Sequence, residues 1–210
     1  MSGRAVQAYD ELKETLDKNA SVSPADKVWM ETALAEIAAR LDRPGVAEAH
    51  FRRSLQHGAP DPYLKAAYAD FLLDANRPAE VVRLLSEDLR IDGLLLRLAL
   101  AEQALGAAAL PGRVADLKAR FDAARARGDR VHLREEARFY TALLKQPREG
   151  LRLAQVNWAV QKEPADARIL LEAALAAGEP AAARAVVDWM RQNNLEDAPL
   201  ARLVRRVPPS

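Results

Sequence analysis

The chain has 210 residues, 50% apolar, 29% charged and 5% aromatic, with no cysteine and a formal net charge of +1. That size and balance fit one compact domain, and the missing thiol excludes a disulfide framework, a thiolate metal centre and a cysteine nucleophile. With 31 Lys plus Arg against 30 Asp plus Glu there is no global field to draw in nucleic acid or an anionic membrane, and no apolar run approaches the roughly 20 residues of a bilayer span. No charged-then-apolar leader opens the sequence, which reads as a soluble protein, mature or truncated.

Alanine (43) and leucine (30) together far outnumber Val, Ile and Thr (20 in all), so residues that lose little rotamer freedom in a helix dominate those that favour a strand. Apolar spacings of three and four recur, as in Val114, Leu117, Phe121 and Ala124, and no sustained alternation predicts a strand. The expected fold class is all-α.

The first expected element is a single leading helix over 3–19. It has the look of a second helix without its mate, which points either to a chain cut from a longer repeat array or to a free N-terminal capping helix. Ser23-Pro24-Ala25-Asp26 then supplies an N-cap and an acid in the first turn. Proline recurs at 44, 62 and 78 and again at 147, 164 and 180, an interval of about one short helix plus a turn, and proline is tolerated only at a helix entrance. Hairpins are therefore expected over 24–57, 61–90, 92–127, 131–161 and 164–192, with Asp61 and Asp92 as further N-caps. An insert at 107–112 shifts the register of the third hairpin and lengthens its second helix. An amphipathic helix over 197–207 is expected to close the last groove as a cap, with Pro208-Pro209-Ser210 frayed beyond it.

Shifting the sequence by 34 places Leu34-Ala35, Ala38, Ala47, Phe51 and Ser54 on Tyr68-Ala69, Leu72, Val81, Leu85 and Asp88. Large and small residues return in register, and here the chain resembles the tetratricopeptide repeat (TPR) family. The resemblance spans nearly the whole chain, with departures at Leu171 (not small), Gly150 (not alanine) and the slipped stretch from 92 to 128. The polar stretches 127–139 and 157–168 look most like a group of uncharacterised bacterial TPR proteins that often carry an export leader. That likeness implies lineage and tilts the location, otherwise open, towards the periplasm.

Chemistry-bearing patterns are sparse. His50 and His57 lie seven apart and His132 is distant, so they read as surface or packing residues, not zinc ligands. Adjacent Glu135 and Glu136 diverge around a helix and read as a solvated pair or as salt-bridge partners of Arg134 and Arg138. No nucleophile elbow, dinucleotide fingerprint, phosphate loop or zincin motif occurs, so no enzyme, metal or cofactor is expected. Arg113, Arg120 and Arg127 form a seven-residue stripe, but the interleaved Asp116, Asp122 and Asp129 favour an internally paired face over a nucleic-acid surface. Trp29, Trp158 and Trp189 read as interhelix core more than as a ligand platform.

The TPR resemblance implies an α-solenoid, a right-handed superhelix of about five hairpins whose first helices line a concave groove for a partner protein or peptide. Its inward-facing positions carry over to Trp29, Thr32, Glu36, Tyr63, Ala66, Asp70, Arg97, His132, Glu135, Phe139, Arg168 and Glu172. The lysine and asparagine set of the family's carboxylate clamp is not matched. The expected function is a non-enzymatic interaction scaffold; the alternative is a structural self-assembly module, a homo-oligomer joined through the N-terminal helix.

Overall fold

The computed structural model describes residues 4–19, 21–58 and 61–208. Ser2-Gly3 and Pro209-Ser210 of the expected termini lie outside them. Every regular element among the described residues is helical: α1 Ala5–Lys18, α2 Pro24–Arg40, α3 Pro44–Gln56, α4 Pro62–Asp74, α5 Pro78–Leu85, α6 Asp92–Leu105, α7 Leu110–Ala126, α8 Leu133–Ala142, α9 Pro147–Val160, α10 Pro164–Ala177, a 3-10 turn Pro180–Ala183 running into α11 Arg184–Gln192, and α12 Ala198–Val204.

Local chemistry sets these boundaries. Proline occupies the first position of α2, α3, α4, α5, α9 and α10, where its missing N–H has no intrahelical role. Ser23 Oγ accepts from Asp26 N–H at 3.1 Å, and Asp61 Oδ1 from Tyr63 N–H at 3.0 Å. Glu163 and Asp166 form a reciprocal capping box at the start of α10. Asp92 does not cap, contrary to the sequence expectation. Ile91 holds the N-cap position of α6, and the Asp92 carboxylate reaches across to Arg120 of α7 at 3.0 Å.

A recurring turn ends the first helix of each hairpin. Asp42, Asn76 and Lys145 adopt φ of 59°, 55° and 55°, and Gly106 and Gly178 adopt 64° and 70°. In four of the five, proline follows two residues later and opens the next helix (Pro44, Pro78, Pro147, Pro180). The left-handed residue reverses the chain while N–H groups beyond it recapture orphan carbonyls, as in Arg43 to Ala38, Ala107 to Glu102 and Glu179 to Ala174. The third hairpin departs from the spacing because the insert after Gly106 delays α7 to Leu110.

The chain divides into two compact units, 1–76 with 190–199, and 77–189 with 200–210. In the first, α2 pairs with α3, and α4 packs on both. Ala35, Ala38, Ala47 and Ala69 are wholly buried and let the helix backbones approach, while Phe51 stacks on Tyr68 (5.0 Å between centroids) and lies 5.5 Å from Phe71. The apolar face of α1 is not left bare: Tyr9, Leu12 and Leu16 pack against Leu34, Ala38 and Ala47.

In the second unit α8 and α9 form a hairpin, α10 packs on both, and α8 also touches α6, the same stacking rule. Phe121 of α7 meets Phe139 of α8 at 5.3 Å. Trp158 is buried edge-on against Trp189 at 5.2 Å, as the core reading of these two tryptophans requires. At Gly150 the helices are so close that an added Cβ would fall 2.8 Å from the Ala137 carbonyl oxygen, which explains glycine where the repeat pattern carries alanine.

Candidate partner-binding faces

The first unit carries an aromatic and acidic face on α2 and α4. Trp29 is 61% exposed and Tyr63 56% exposed, large rings left in solvent. Trp29 is thus no part of the core. The Tyr63 hydroxyl donates to Glu36 Oε2 at 2.8 Å, fixing that carboxylate two turns along α2 from Trp29. Asp70 stands two turns along α4 from Tyr63 and, like Ala66, is half-buried. Thr32 does not belong to this face. It is 1% exposed, its hydroxyl bonds the Val28 carbonyl at 2.7 Å, and Ser54 Oγ lies 2.9 Å away across the hairpin.

The second unit treats its assigned residues differently. Phe139 is fully buried in the core beside Phe121 and Tyr140, so it offers a partner nothing. Arg97 donates to the Gly93 carbonyl at 2.8 Å, and Arg168 pairs with Glu172 at 2.7 Å. Glu135 pairs with Arg134 at 3.4 Å, and His132 is exposed at the N-cap position of α8. Glu136 pairs with Arg125, whose guanidinium also donates to Tyr140 Oη at 3.0 Å.

Most of the basic stripe on α7 is spent inside its own unit. Arg113 pairs with Glu102 at 3.5 Å, Arg120 with Asp92 at 3.0 Å and Asp116 at 2.8 Å, and Lys118 with Asp122 at 2.6 Å. Arg127 is exposed at the helix end. The carboxylates beside Arg120 hold its guanidinium charged, so this surface is a mosaic of paired charge and not a positive field.

Two buried polar networks were not legible from sequence spacing. In the first unit His50 is buried between three helices: its Nδ1 lies 2.5 Å from Glu31 Oε2 and its Nε2 lies 2.8 Å from Tyr9 Oη, while Arg53 Nε donates to Glu31 Oε1 at 3.0 Å. Arg53 Nη2 also lies 2.6 Å from His50 Nδ1, so the imidazole, the carboxylate, the guanidinium and the Tyr9 hydroxyl form one buried polar cluster. Burial pushes the Glu31 carboxyl up, but hydrogen bonds from His50 and Arg53 outweigh it and hold the group below the usual carboxylate range. In the second unit buried Asp166 accepts from Asn157 Nδ2 at 2.8 Å, the Glu163 N–H at 3.0 Å and Arg134 Nη1 at 3.4 Å. These bonds tie α8, α9 and α10 together.

Among the described residues no group of three or more His, Asp and Glu is placed to hold a metal ion, and no helix is long and apolar enough to cross a membrane. Neither a protein-family model nor a curated protein matches this sequence.

Proposed function

We propose that this protein is a TPR-like, non-catalytic scaffold that binds a segment of a partner protein, and that Trp29 and Tyr63 are its principal contacts. The observation that carries the reading is the exposure of those two rings on the first helices of neighbouring hairpins, above a well-packed core. Glu36, oriented by Tyr63, supplies a carboxylate beside them, so the face suits an extended segment with Arg or Lys next to an apolar side chain. The internally paired cations of α7 argue against nucleic acid as the partner.

The self-assembly alternative needs a free apolar face on α1, whereas Tyr9, Leu12 and Leu16 are engaged with α2 and α3. The test is affinity capture from the native host followed by mass spectrometry, with the wild-type chain beside a Trp29→Ala, Tyr63→Ala double variant. A specific partner recovered on the wild type is expected to drop at least about tenfold on the variant, with the helical circular dichroism unchanged. Equal recovery on both proteins refutes the assignment of this face.

A further inference from the structure

The N-terminus of α1 is not capped by its own flank. Arg4 sits at the N-cap position without a side-chain bond to the first turn, and the Ala5 N–H donates instead to Glu196 Oε2 at 2.8 Å, 191 residues along the chain. Asp197, buried, pairs with Arg40 Nε at 3.6 Å, and Arg40 Nη2 donates to the Glu196 carbonyl at 3.3 Å. Residues 190–199 belong to the first unit, so the Glu196-Asp197 pair grips the start of α1 and the end of α2 within one body. A carboxylate at a helix N-terminus and a guanidinium at a carboxylate are each favourable, and the two act on adjacent residues.

The grip is opposed locally. Glu196 shares a shallow depression with Asp10, Glu11 and Glu14, and Arg4 is the one basic residue lining it. Like charges so placed repel the docked carboxylate. A helix of 14 residues is marginal in water without tertiary support, so α1 depends on this grip and on its apolar contacts.

We propose that Glu196-Asp197 is a latch that holds α1 as a lid over the α2–α3 hairpin, and that its release bares the Tyr9, Leu12 and Leu16 stripe with the Leu34, Ala38 and Ala47 surface beneath. The test is hydrogen exchange on the full chain, comparing wild type with Glu196→Ala, Asp197→Asn. The α1 amides are expected to exchange about tenfold faster in the variant while those of α8, α9 and α10 keep their protection. Exchange in α1 within twofold of wild type would overturn the latch. Should the variant lose structure throughout, the charge exchange Arg40→Asp with Asp197→Arg decides: α1 protection above that of Arg40→Asp alone supports the latch, and no recovery overturns it.

Discussion

Replacing Gly150 by alanine probes the close approach of α8 and α9. On helix propensity alone the change should stabilise α9 by about 1 kcal/mol. Against that, the new Cβ would meet Thr141 Oγ1 at 2.0 Å and the Ala137 carbonyl oxygen at 2.8 Å. The hydroxyl can rotate away, but it then gives up its 2.8 Å bond to that same carbonyl, worth about 1 kcal/mol. The carbonyl is backbone inside α8 and moves only if the helices part, an overpacking cost of about 1–3 kcal/mol. The net expectation is a loss of about 1–3 kcal/mol, and at about 2–4 °C per kcal/mol a fall in Tm of roughly 2–12 °C. Differential scanning calorimetry reads this directly. Gly45→Ala in α3 is the control, because nothing lies within 4 Å of its added Cβ, and it should hold or slightly raise Tm. Adding Thr141→Ala to Gly150→Ala removes the clashing hydroxyl together with its bond to the Ala137 carbonyl, so the double variant should recover little of the loss. An unchanged or raised Tm for Gly150→Ala would refute the close approach.

Two further expectations concern the buried networks. Because the folded Glu31 carboxyl lies below its ordinary value, its contribution to stability is fully present above the unfolded value of about 4.3 and is lost as pH falls through the folded one. Glu31→Gln should therefore cost roughly 1–3 kcal/mol near neutral pH, with the gap to wild type in urea midpoint narrowing only below about pH 4.3; a gap independent of pH down to 3.5 contradicts the charged network. Asp166→Ala should cost about 2–4 kcal/mol by stripping Arg134, Asn157 and the Glu163 N–H of their acceptor, less than a fully buried pair because Arg134 keeps some access to water. Asp166→Asn, which keeps an oxygen acceptor, should fall between, and equal urea midpoints for all three proteins would show that the network contributes nothing.

Which of the candidate residues stand exposed is only half legible in the sequence. The seven-residue spacing of Trp29 and Glu36 places both on one face of α2, and the Tyr63 hydroxyl donates to Glu36 there. Thr32 was assigned to the same face, but a serine on the next helix, Ser54, draws its hydroxyl into the hairpin. The repeat pattern puts Phe139 on a groove wall, yet the buried ring packs against Phe121 of α7. Periodicity reports the angle of a side chain around its own helix; it does not report what stands opposite.

The sequence by itself determined the all-helical class, the hairpin rhythm and most helix boundaries. Capping groups, proline entrances and left-handed turn residues act within a few positions of the chain, so their effect is written locally. Tertiary structure alone decided that His50 would join Tyr9 and Glu31, that Asp92 would leave its cap for Arg120, and that Glu196 would cap a helix at the other end of the chain. Those bonds connect residues 19 to 191 positions apart, and a pairing over such distances depends on how whole helices pack, which no local pattern encodes.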